Sequence, residues 1–156
     1  MNEKKNSKRF GIAKTKILVI DDHPVVCDGL TMLINCQADM TVVVCAGNAA
    51  EAIKSVKKHA IDVAIVDMLL QDTTGVHIIE QIKAICPNLI VLIFSMSDEM
   101  LHIQQAFKAG ARGYITKDEP SEKIIYAIRK ALQGKTYLSK QLSTLFTRHQ
   151  LSTFMV

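Results

Sequence analysis

Five short runs of β-branched and other apolar residues punctuate this chain. After each run comes a stretch whose apolar residues recur every three or four positions. The runs predict strands over 16–20, 41–46, 61–66, 89–94 and 112–116. The stretches between them predict helices. Pro24 opens the first, with Val25, Val26, Leu30, Leu33 and Ile34 inward up to Cys36. Asn48 caps the second, which reaches His59. The third spans 75–86 and stops at Pro87; the fourth spans 98–109 and closes at Gly110. Ser121 caps the fifth, which runs to Gln133 with Gly134 behind it.

Strict strand–helix alternation over about 120 residues means a parallel sheet with helices on both faces. The strands are short and the unit is small. That combination predicts an α/β, flavodoxin-like, doubly wound (βα)5 sandwich of three layers, with sheet order 2-1-3-4-5. At 49% apolar and 22% charged residues, the chain can bury a real core. Its longest unbroken apolar run, Leu89 to Phe94, is far short of a membrane span.

In such a sheet the ligand sits beyond the carboxyl ends of the strands. The first strand ends in Asp21-Asp22, the third in Asp67, the fourth in Ser95 and the fifth in Thr116-Lys117. The predicted topology thus gathers three carboxylates, a hydroxyl and an ammonium at one edge. Crowded carboxylates repel, and a hard divalent cation such as Mg²⁺ relieves the repulsion. Mg²⁺ keeps several waters and commonly bridges phosphate oxygens. Lys117 offers a point charge for an anionic oxygen, and Ser95 a hydroxyl that can donate to another. No His, Cys or second base ends a strand to run acyl or glycosyl chemistry. The set suits transfer of a phosphoryl group onto a carboxylate, and Asp67, the acid of the central strand, is the natural acceptor. Taken singly, each residue is more simply read as a turn, cap or solvated loop residue. Their coincidence at four strand ends argues for a shared site.

The stretches Ile17–Pro24, Asp62–Asp67, Phe94-Ser95 and Ala109–Asp118 resemble the receiver domain of bacterial two-component response regulators, most nearly the NarL/FixJ (LuxR-type) family. The resemblance implies a phosphoryl group accepted on Asp67 from a sensor histidine kinase. Asp21, Asp22 and Asp67 would hold Mg²⁺ together with the backbone carbonyl of Leu69, Asp22 being more direct than Asp21. Ser95 matches the switch hydroxyl, Tyr114 the switch aromatic and Lys117 the residue that pairs with the phosphoryl group. Self-phosphorylation and self-dephosphorylation would be the only catalysis. The implied partners are the kinase and a second copy of the chain, with DNA added only where a full-length protein carries an output domain. The implied setting is the bacterial cytoplasm, in transcription control.

The sequence departs from the family pattern after the acceptor. The usual Met-Pro-Gly is replaced by Met68-Leu-Leu-Gln-Asp-Thr-Thr-Gly75, which keeps only the glycine and adds Asp72. Asp118 stands where many receivers have proline. Only residues 134–156 follow the fifth helix, too few for a helix-turn-helix output domain, with one short helix expected over 139–148. The altered loop keeps a second reading open: a pseudo-receiver that binds a protein partner and never turns over phosphate. A flavodoxin or a haloacid-type phosphatase fits less well. Asp21-Asp22 would repel a flavin phosphate, and Asp-x-Asp is absent at both acidic strand ends.

Charge divides the chain. Residues 1–16 hold six Lys and Arg against one Glu, a balance of +5, and the remainder holds 13 against 14, a balance of −1. Residues 1–15 are expected to be a basic, disordered leader, 16–133 the receiver domain and 134–156 a linker. Cys27, Cys36, Cys45 and Cys86 form no Cys-x-x-Cys pair and are read as reduced core or near-core residues. His23 is read as part of a helix start, and His77 and His102 as ordinary helix residues.

Overall fold

The computed structural model describes residues 13–146. Most of the expected basic leader and the last residues of the expected tail helix lie outside the described residues. The strands are β1 (Thr15–Ile20), β2 (Met40–Ala46), β3 (Val63–Val66), β4 (Ile90–Ser95), β5 (Gly113–Thr116) and β6 (Tyr137–Leu138). The helices are α1 (Pro24–Asn35), α2 (Ala49–Lys58), α3 (Gly75–Ile85), α4 (Met100–Ala109), α5 (Glu122–Leu132) and the single turn α6 (Lys140–Ser143). The sheet is parallel throughout, in the order β2-β1-β3-β4-β5-β6. This is the doubly wound arrangement the alternation predicts, extended by one edge strand.

Period-2 alternation divides the core in two. Leu18, Ile20, Ala64, Val66, Val91 and Ile93 face α2, α3 and α4. Ile17, Val19, Val63, Ile65 and Leu92 face α1 and α5. Every residue of β3 is buried, as its place between β1 and β4 requires. The central strand therefore holds the residue that follows it, Asp67, in a rigid frame.

Local signals set most helix ends. Pro24 stands in the first turn of α1, and the Asn48 side chain accepts from Glu51 N–H at the start of α2. Gly110 ends α4 at φ 114°, a left-handed turn that glycine adopts without strain. Two starts differ from expectation. Ser121 precedes α5 in a helical conformation and makes no side-chain cap. The fourth helix begins at Met100, two residues late, because Ser97 Oγ takes the Glu99 N–H (3.4 Å) and Ser95 Oγ takes the Ser97 N–H (3.2 Å). These local bonds keep the segment after β4 out of the helix.

Two of the cysteines also differ. Cys27 is buried and Cys86 half-buried, but Cys36 and Cys45 are exposed. Cys36 ends α1, and Cys45 lies on β2, the edge strand, where burial is partial. All four are free thiols.

Candidate functional site

The β1–α1 connection is three residues long, so Asp21, Asp22 and His23 all stay at the carboxyl edge. Asp21 N–H donates to Ala46 O (3.0 Å), and Asp67 N–H donates to Ile20 O (2.9 Å). The neighbouring strands thereby fix the backbone of both acids. Lys117 N–H donates to Ser95 O (2.9 Å), which ties the β5 end to the β4 end. Gly75 closes the loop after Asp67 by donating its N–H to Met68 O (2.7 Å). A Cβ there would lie 2.7 Å from Asp67 O and 2.9 Å from Met68 Cα. This backbone-to-backbone approach leaves no room for a side chain at position 75.

The side chains converge. Lys117 Nζ donates to Asp21 Oδ2 (2.7 Å) and to Asp67 Oδ2 (3.0 Å). All three of these residues are at least nine-tenths buried. Asp67 Oδ1 accepts the Leu69 N–H (3.3 Å), and Asp21 Oδ1 accepts the His23 N–H (2.9 Å). Asp22 Oδ2 accepts the Gln71 N–H (3.0 Å), which joins the loop after β3 to the loop after β1. Asp22 Oδ1 is buried and makes no hydrogen bond, although His23 Nδ1 approaches it to 2.9 Å. The same ring nitrogen is 2.9 Å from Asp21 Oδ1.

Ser95 ends β4, one residue beyond the predicted strand, and is buried beside this cluster. Tyr114 is fully buried and donates its hydroxyl to Ser97 O (2.8 Å). Ser97 Oγ in turn lies 2.6 Å from His102 Nδ1. Leu69 is held by a bridge to Thr74 as well as by its bond to Asp67. Asp72 turns away from the cluster: its Oδ2 accepts the Ala49 N–H (3.4 Å) at the start of α2.

Electrostatics follow from this packing. Burial pulls the Lys117 pKa down, but the hydrogen bonds and charges of Asp21 and Asp67 outweigh it, and the net effect is upward. His23 is raised by its bond to Asp21 first, then by the Asp21 and Asp22 charges. Burial raises the Tyr114 phenol. Three carboxylates against one ammonium leave two negative charges uncompensated. One ligand atom from each of Asp21, Asp22, His23 and Asp67 falls within 4.8 Å of all the others. Clustered carboxylate oxygens, one of them orphaned, fit a hard divalent cation.

Three contributors were hard to foresee. His23 touches both acids although its sequence context reads as a helix start; the Asp-Asp-His tripeptide was the available signal. Ser97 stands two residues past the end of β4 and carries no strand-end signal. Ser139, fully buried, donates its N–H to Tyr114 O (3.2 Å) and places Oγ 3.3 Å from Thr116 N. Nothing in its local sequence points there.

Among known proteins, the family described as the response regulator receiver domain matches residues 17–129. Oxygen regulatory protein NreC of Staphylococcus epidermidis is 38% identical over 130 residues, which is 83% of this chain and 60% of that protein. NreC of Staphylococcus carnosus is 35% identical over the same shares. The chain thus spans about 60% of the length of these curated relatives. A two-component response regulator of the LuxR family from Aurantimonas sp. SI85-9A1 superposes with a TM-score of 0.81 at 29% identity, over 85% of this chain and 94% of that one. The isolated REC domain of RcsB from Salmonella enterica serovar Typhimurium, solved with phosphomimetic BeF3-, shares the fold, with a TM-score of 0.79 at 20% identity over 86% and 99%. With a family match across most of its length and a sheet edge that gathers these acids around one lysine, the chain belongs to the response regulator receiver domain family, on its NarL/FixJ (LuxR-type) side.

Proposed function

We propose that Asp67 accepts a phosphoryl group from a sensor histidine kinase and that the chain relays the event through its switch residues. The observation that carries this reading is the position of Lys117 Nζ, shared between Asp21 and Asp67 beside the orphaned Asp22 oxygen. An Asp67 oxygen attacks phosphorus, the phosphorus–nitrogen bond to the donor histidine breaks, and the departing imidazole takes a proton. Asp67 Oδ1, which among the described residues accepts only the long Leu69 N–H contact, is the freer oxygen for the attack. Lys117 then exchanges a carboxylate partner for a phosphoryl oxygen.

Asp21, Asp22, Asp67 and the Leu69 carbonyl would hold Mg²⁺, with Asp22 as the more direct of the acidic pair. When bound, the ion neutralises charge on the transferring phosphoryl oxygens. Ser95 Oγ, now an acceptor for Ser97 N–H, turns to donate to the phosphoryl group. Tyr114 is the aromatic that registers this movement. The phosphorylation is thereby read as an electrostatic switch. The setting is the bacterial cytoplasm, with a homodimer as the signalling form and DNA as a target where an output domain is joined. No described helix is long and apolar enough to cross a membrane.

The test is intact mass after incubation with Mg²⁺ and a small acyl phosphate, beside Asp67→Asn. A labile gain of about 80 Da on the parent alone is expected. Gain on both proteins would place the acceptor elsewhere. No gain, with Mg²⁺ bound, would favour the pseudo-receiver and implicate the 70–74 loop.

A further inference from the structure

Behind the acidic pair, the first turn of α1 and the end of β2 bring two thiols together. Cys27 is buried on α1, and Cys45 is exposed on the edge strand. Cys45 Sγ is 4.0 Å from Cys27 O. Thr31 Oγ1 donates to Cys27 O (2.7 Å) and lies 3.4 Å from Cys45 Sγ, so one hydroxyl braces both residues. Cys27 Sγ reaches Asp21 O at 3.5 Å. Both cysteines line a cleft of about 280 Å³ together with Asp21, Asp22 and Pro24. Cys36 and Cys86 end α1 and α3 at the opposite edge of the sheet.

We propose that Cys27 and Cys45 are a redox pair that closes into an intramolecular disulfide, with a low-molecular-weight disulfide such as oxidised glutathione as the oxidant. Exposure decides the order of events. The Cys45 sulfur attacks one sulfur of the oxidant, whose S–S bond breaks and releases one thiol with the Cys45 proton. The Cys27 sulfur then attacks the Cys45 sulfur, displaces the second thiol and gives it the Cys27 proton. Two protein thiols lose two electrons, and one small disulfide becomes two thiols. The new bond fastens α1 to β2 directly behind Asp21 and Asp22. None of this depends on phosphorylation of Asp67.

The experiment uses the full chain carrying Cys36→Ser and Cys86→Ser, with far-UV circular dichroism as the folding check. Oxidised glutathione is added in native buffer. The expected product is a monomer lighter by about 2 Da, the mass of two hydrogens, restored by dithiothreitol. No Lys or Arg lies between Lys16 and Lys54, so cleavage before Asp28 and Asp39 is needed to display the Cys27–Cys45 link. Adding Cys27→Ala should leave a stalled glutathione adduct on Cys45. A persistent adduct on the unaltered pair, a disulfide-linked dimer, or no change in mass would each overturn the proposal.

Discussion

At the scale of single residues, the site is a charge imbalance held in place by strand ends. Lys117 is the only cation donating hydrogen bonds to both Asp21 and Asp67 among the described residues. Lys117→Ala strips two buried carboxylates of their partner, and a loss of about 3 kcal/mol at neutral pH is expected in urea unfolding without divalent cations. The raised Lys117 pKa contributes stability that is complete below 10.5 and is lost as pH climbs through the folded value. His23 offers a sharper reading. Its ring titration, followed by NMR, should have a midpoint above 6.5 that falls back in Asp21→Asn. A midpoint unmoved by that change would remove Asp21 as the cause. Gly75→Ala pushes a methyl into two backbone atoms and should cost about 1–3 kcal/mol, read as a lower urea midpoint.

At the scale of elements, the five main strands and helices were legible because each carries its own periodicity or breaker. Asp21, Asp22, Asp67, Ser95 and Lys117 were legible because each ends or follows a strand, and strand ends share an edge. What escaped notice depends on contacts between distant parts of the chain. A two-residue strand has no period, so β6 was invisible; it exists because Tyr137 N–H reaches Arg112 O (2.9 Å) and Ser139 N–H reaches Tyr114 O (3.2 Å). His102 looked like an ordinary helix residue, and its bond to Ser97 depends on where α4 begins. The exposure of Cys45 depends on β2 being the sheet's edge. Ser139 tests the added element. Ser139→Ala removes the hydroxyl beside the buried Thr116 N–H, and a loss of about 1–3 kcal/mol is expected in the same unfolding assay. A neutral result would mean that the strap after α5 contributes little to the sheet.

At the scale of the whole molecule, two apolar layers clamp a sheet whose carboxyl edge is strongly anionic. A divalent cation that binds this edge in the native state should raise the melting temperature, by the equivalent of about 2.7 kcal/mol at one hundred times its dissociation constant. Asp22→Asn should abolish most of that shift while slightly raising the cation-free melting temperature, since it removes one of the crowded carboxylate charges that Lys117 does not pair. Equal shifts in both proteins would place the ion elsewhere. The direction of β6 carries a practical corollary. Because β6 runs parallel to β5, the chain at Ser139 arrives on the side of the sheet that holds Asp67, whereas Thr15 enters from the far side. A six-residue strand separates these sides by about 20 Å. A fluorophore, affinity handle or second protein joined ahead of Thr15 would therefore hang clear of the acidic crevice, while the same cargo inserted directly behind Ser139 would start out on the acidic side of the sheet.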